Sequence, residues 1–176
     1  MAHDINAIIG SRQTLANLIE RLGRPGRPGP TELTFGLSIM PLDERRLDLL
    51  AMSVERPFDG FTYLKLKMAD EIGRTLNQGF ALYVETNYFG GTGCQSAALF
   101  ENGKLVWKGS DRLLWEASHK LVRQGSEHSD PPVRSPINQG LKKMGVVPLE
   151  GKDAFDSVGL GRFRCLEALG LTTEEE

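Results

Sequence analysis

The sequence predicts an α+β (α/β) fold: a mixed β-sheet with helices on at least one face, in which N-terminal strand–helix units are followed by a β-hairpin region. Three observations predict it. Apolar spacing switches twice from strand to helix before residue 55, which reads as two strand–turn–helix units. Residues 80–107 (FALYVETNYFGGTGCQSAALFENGKLVW) then read as two buried strands around a glycine-rich corner, with a third strand close behind. Between the second and third lies Asn102-Gly103, the strongest two-residue hairpin signal.

The elements follow in order. Ile5–Ile9 is an apolar strand. Leu15, Leu18, Ile19 and Leu22 share a helical face, with Ser11 as N-cap and Gly23 as the expected left-handed stop. The stretch 24–30 (RPGRPGP) forbids helix and ladder alike and is predicted to be a surface loop. Thr31–Met40 has strand composition. A second helix starts at Pro41-Leu42-Asp43, with Asp43 and Glu44 in its first turn, where the helix dipole favours negative charge. Leu47, Leu50, Ala51 and Val54 are its expected inner face. Residues 58–66 alternate like a strand but are ambiguous. Met68, Ala69, Ile72 and Leu76 mark a third helix, with Gly79 as its stop. Asp111–Val122 is predicted helical, and 123–134 a mobile surface loop. Ser135-Pro136 caps a short helix with Ile137, Leu141 and Met144 inward and Gly145 at its end. Residues 153–164 carry few signals, and 171–176 should fray.

The 176 residues are expected to form a single globular domain. Charged residues make up 25% and hydrophobic residues 40%, near the average for packed proteins. Net charge is −2, which gives no pull toward nucleic acid or an anionic membrane. No apolar run nears the roughly 20 residues that span a bilayer, and no secretory signal is apparent. Cys94 and Cys165 match no redox or metal spacing, so a cytoplasmic protein with reduced thiols is expected.

Candidate chemistry centres on the Gly90-Gly91-Thr92-Gly93 corner. Consecutive backbone N–H groups there could hold an anion. A phosphate loop needs a helix next, whereas 94–100 reads as strand, so a structural corner is the preferred reading. Strand alternation puts Tyr83, Glu85, Asn87 and Phe89 on one side and Leu82, Val84, Thr86 and Tyr88 on the other. Glu85 thus lies among apolar residues. It could act as a general base, be a surface residue, or accept backbone N–H groups from the corner; a structural role is preferred because no second acid, base or nucleophile is placed near it. Cys94 would need a histidine, and His3, His119 and His128 are poorly placed, so a buried inert thiol is expected. No metal spacing is present, and Asp153 with Asp156 is only a pair. Arg162 and Arg164 flank Phe163 and could meet a phosphate, an acidic partner or the chain's own carboxylates.

Three segments, YVETNYFGGTGCQSAALFENGKLV, SPINQGLKKMGV and DAFDSVGLGRFR, resemble a family of small bacterial proteins of unknown function. The matching positions are Glu85, Tyr88, Phe89, Gly90, Gly91, Gly93 and Gln95; then Ile137 and Asn138; then Phe155, Asp156, Gly159, Leu160, Gly161 and Arg162. The resemblance implies a bacterial origin and a compact domain, not a reaction; the residues themselves lead to no expected cofactor or metal. It suggests that the Glu85–Gln95 region, Asn138 and the Asp156–Arg162 tail meet around one site. Two readings follow. In the first, the chain is a non-enzymatic binding or interaction protein, immunity- or adaptor-like, with a protein partner. In the second, it is an enzyme or small-ligand sensor: Glu85 is base or anchor, Asn87, Gln95 and Asn138 orient the ligand, and Arg162 binds an anionic group.

Overall fold

The computed structural model describes residues 3–23, 29–50, 54–89, 92–112, 114 and 134–170. Six strands form one sheet: β1 (His3–Ser11), β2 (Thr31–Glu32), β3 (Leu37–Pro41), β4 (Phe80–Phe89), β5 (Thr92–Glu101) and β6 (Lys104–Ser110), in the spatial order β2-β3-β1-β4-β5-β6. The helices are α1 (Arg12–Leu22), α2 (Glu44–Leu50), α3 (Leu66–Thr75), α4 (Pro136–Lys143) and α5 (Ala154–Val158). Two short 3-10 turns, Leu160–Arg162 and Glu167–Leu169, follow. The α+β class is as expected. Every described pairing is antiparallel. The early strand–helix units add no parallel neighbours, because β3 and β4 both run opposite to β1.

Period-2 alternation gives the sheet two buried faces. Ile8, Met40, Ala81, Tyr83, Ala98 and Phe100 meet α1, α2 and α3 in one core. Ile5, Ala7, Ile9, Leu82, Val84 and Leu99 meet α4, α5 and the chain after it in a second. Helices therefore cover both faces. On edge strand β6, Leu105 pairs with Phe100 and Trp107 with Leu99, which leaves Val106 as an unpaired bulge, half exposed.

Several local expectations change. Ser11 does cap α1, accepting from the Thr14 N–H at 3.1 Å, but Gly23 is extended, not left-handed. A Cβ there would sit 2.5 Å from the Ile19 carbonyl oxygen, so the closeness of the cap needs glycine. The expected strand over 31–40 breaks into β2 and β3 at a turn, with φ of 59° at Phe35 and 67° at Gly36. That pair of left-handed residues is the hairpin solution matching sheet twist. Asn102-Gly103 makes the predicted turn the same way.

Asp43 caps α2 by accepting from the Arg46 N–H at 2.8 Å, and Leu47 and Leu50 face the core, but Val54 is fully exposed. α3 ends at Thr75 with Leu76 as its C-cap, not at Gly79; Gly79 instead immediately precedes β4 and donates its N–H to Asn102 Oδ1 at 2.9 Å. Ser135 precedes α4 without a side-chain cap bond. The stretch 58–65 is no strand: it folds as a loop in which the N–H groups of Thr62, Tyr63 and Leu64 go to a side chain and those of Phe58 and Phe61 to carbonyls within the loop. Ala51, most of the 24–30 loop, most of the predicted helix over 111–122, nearly all of the 123–134 loop, and 171–176 lie outside the described residues.

Candidate functional site

Glu85 is the chemical centre of the region. It lies on β4 between Asn6 of β1 and Ser96 of β5, pointing into the first core beside Tyr83. It is only 6% exposed. A carboxylate buried this far needs its lone pairs occupied, and they are. Oε1 accepts from the N–H groups of Tyr63 (2.9 Å) and Leu64 (3.0 Å) and from the Tyr83 hydroxyl (2.8 Å). Oε2 accepts from the Thr62 N–H at 2.6 Å. Burial first, then the Glu85 charge and this hydrogen bond, push the Tyr83 phenol well above its ordinary value and keep it neutral. Glu85 is thus an acceptor of backbone N–H groups, as one reading held. Its donors come from the 62–64 loop, however, not from the glycine corner.

The same loop is fastened further back. The Gly60 carbonyl receives the hydroxyls of Ser96 (2.6 Å) and Ser110 (3.0 Å). Phe61 and Leu64 are buried on either side of Thr62 and Tyr63, which stay exposed. Arg112 Nη2 donates to Thr62 Oγ1 at 2.8 Å. Two depressions open beside this loop and share Thr62 and Tyr63. One is a polar cleft of about 70 Å³ whose lining includes Asp4, Asn6, Asn87, Cys94 and Arg112. The other is a groove of about 330 Å³ lined by Glu44, Leu47, Asp48, Thr62, Tyr63 and Lys65.

The sequence-predicted residues divide among three places. Glu85 and Asn87 line the cleft, and Cys94 joins them as a free, partly exposed thiol. Tyr88 and Gln95 belong to a separate cluster around Asp111. The Gln95 N–H donates to Asp111 Oδ1 at 2.6 Å, and the Tyr88 hydroxyl reaches Asp111 Oδ2 at 3.4 Å. Burial and the Asp111 charge push Tyr88 up to about 12, and burial raises Asp111 itself. Gly93 sits opposite Tyr88 with no room for a side chain: a Cβ would lie 2.1 Å from the Asn87 carbonyl oxygen. Gly90 and Gly91 lie outside the described residues.

Asn138, Asp156 and Arg162 stand on the other face of the sheet. Asn138 ties α4 to α5: its Nδ2 donates to Asp153 Oδ2 at 2.9 Å and its Oδ1 accepts from the Phe155 N–H at 2.7 Å. The Asp156 N–H meets Asp153 Oδ1 at 2.8 Å in the same cap. The exposed Arg162 reaches the Gly159 carbonyl at 3.4 Å and lies over the Phe163 ring, 5.6 Å from its centroid. The elements that carry them pack on the core opposite Glu85, so these three hydrogen-bond a helix junction and do not meet Glu85 around one site.

Sequence reasoning missed Thr62, Tyr63, Arg112 and the α2 carboxylates. A signal for the loop existed: Asp59-Gly60 is a turn dipeptide, but the alternation of FTYLKLK suggested a strand. Among the described residues, no cluster of His, Cys, Asp and Glu could hold a metal, and no helix is long and apolar enough to cross a membrane. Comparison of the chain with family models, with curated proteins and with solved structures returned no match.

Proposed function

We propose that this chain is a non-enzymatic binding protein that recognises a protein partner, in the manner of an immunity or adaptor protein, through the 62–65 loop and its surroundings. One observation carries the reading. The buried carboxylate best placed to act as a base already accepts from Thr62, Tyr63, Leu64 and Tyr83. Its role is to hold a loop rigid, and that loop presents an exposed tyrosine between two depressions. A preorganised loop with an aromatic at its tip loses little entropy on association, and tyrosine is enriched among the residues that dominate interface energy. The alternative, an enzyme or small-ligand sensor, draws less support. The polar cleft that Glu85 and Asn87 line, about 70 Å³, falls well below the roughly 300–1,000 Å³ of small-molecule sites, and the neighbouring groove of about 330 Å³, which reaches that range, is lined by none of the residues expected to handle a ligand.

The test is affinity capture from native-host lysate with wild type and Tyr63→Ala. Recovery of one stoichiometric partner by wild type, lost with a Tyr63→Ala protein of unchanged melting temperature, is the expected result. Repeated captures without a partner, together with stabilisation by a nucleotide, sugar phosphate or metal ion, would overturn the reading. A ligand at ~100 times its Kd adds about 2.7 kcal/mol, which a thermal-shift panel resolves.

A further inference from the structure

We propose that the groove between α2 and the 62–65 loop takes an arginine side chain from a basic segment of the protein partner. This inference rests on the reading above and names the chemistry that the partner must bring.

The groove supplies each contact that a guanidinium on a long apolar stem prefers. Leu47, otherwise buried in the core, gives the groove an apolar edge for the stem. Tyr63, 43% exposed, offers a ring on which a planar cation stacks. Glu44 and Asp48 stand four residues apart on one face of α2 and both line the groove. Like charges at that spacing repel one another, so a cation between them relieves the repulsion as well as pairing with each. Asp4 lies just beyond Tyr63, in the adjoining cleft. Burial first, and then the charges of Asp4, Glu85 and Glu44, raise the Tyr63 phenol above its ordinary value, which marks negative potential converging on this ring. Lys65 also lines the groove, so a cation is favoured on the α2 side and disfavoured beside Lys65. Arginine suits the site better than lysine, because its planar fork can stack and bridge two carboxylates together. The volume of about 330 Å³ suits one long side chain with its flanking backbone.

The experiment is an amide-shift titration of the full chain with acetyl-Gly-Arg-Arg-Gly-amide, beside the same peptide with glutamate for arginine. The expected result is a saturable response to the arginine peptide, confined to 44–48 and 62–65 and weakened by added salt. Asp48→Lys should reduce affinity by about tenfold or more, and Glu150→Lys, beyond the opposite face, should leave it unchanged. Should Asp48→Lys lose its dispersed spectrum, Asp48→Asn replaces it, with a smaller loss in the same direction. A response centred elsewhere, no response at millimolar peptide, or equal responses to both peptides overturns the inference. A captured partner that binds wild type and Asp48→Lys equally would also overturn it, and would leave the proposed function standing. Arginine-peptide binding at the groove with no partner in any capture would overturn the proposed function alone.

Discussion

At the scale of single residues, Glu85 dominates. Four donors converge on a carboxylate inside the core. An amide in its place keeps the shape but turns an NH2 toward N–H donors. Glu85→Gln should therefore lower unfolding free energy by about 2 kcal/mol, since hydrogen bonds to a buried charge are strong and their donors are costly to orphan. Tyr83→Phe, which removes one donor of four, should cost about 1 kcal/mol. Urea unfolding checks both; equal effects would mean that the loop's N–H groups do not depend on the carboxylate. Phe35 offers the opposite sign. It holds a left-handed φ of 59° while half exposed, a conformation that costs a non-glycine residue about 1 kcal/mol and that asparagine tolerates. Phe35→Asn should raise the urea midpoint.

At the scale of elements, close backbone approach overrides propensity. Gly73 lies inside α3, where alanine is intrinsically better by about 1 kcal/mol. A Cβ there would sit 2.2 Å from the Gly103 carbonyl oxygen in the β5–β6 turn. Gly73→Ala should thus be destabilising by about 1–3 kcal/mol, the usual range for overpacking, measurable as a lower melting temperature. This contact also explains what sequence could and could not reveal. α1 and α3 were legible from 3.6-residue periodicity, and the β5–β6 hairpin from Asn102-Gly103, because both signals are local. The 58–65 loop was not, because the N–H groups of Thr62, Tyr63 and Leu64 are satisfied by Glu85, more than twenty positions along the chain. Alternation in FTYLKLK counts side chains, and it cannot say where the N–H groups go. The split between Glu85 and Asn138 was hidden for the same reason: only the pairing of β4 in the sheet centre assigns the two residues to opposite faces.

At the scale of the whole molecule, pH should act through the β1 end of the sheet. His3 Nδ1 lies 2.8 Å from Thr86 Oγ1, and its ring packs on Phe155, linking β1 and β4 to α5. Burial first, and the nearby Arg164 charge, lower its pKa below the ordinary 6.5, against partly compensating influences of the Leu160 backbone and the Asp4 charge. Below 6.5 the unfolded chain binds a proton that the folded chain resists. His3 therefore contributes a loss of stability as pH falls through that value, levelling off only beneath the folded pKa. His3→Gln should remove that part of the slope between pH 7.5 and 5.5, where most carboxylates remain ionised. Melting curves of the two proteins across that window decide it; parallel curves would assign the slope to other groups.

The two cores share the central strands β1 and β4, which face helices on both sides and ladders along both edges. No partial opening that frees α1–α3 from one side, or α4–α5 from the other, exposes the amides of Ile8 or Val84. Deuterium uptake at these positions should require the entire chain to come apart, whereas β2 and the bulged β6 should label sooner through local fluctuation. The slowest-exchanging amides would then report the global unfolding free energy directly, against which every substitution above can be read.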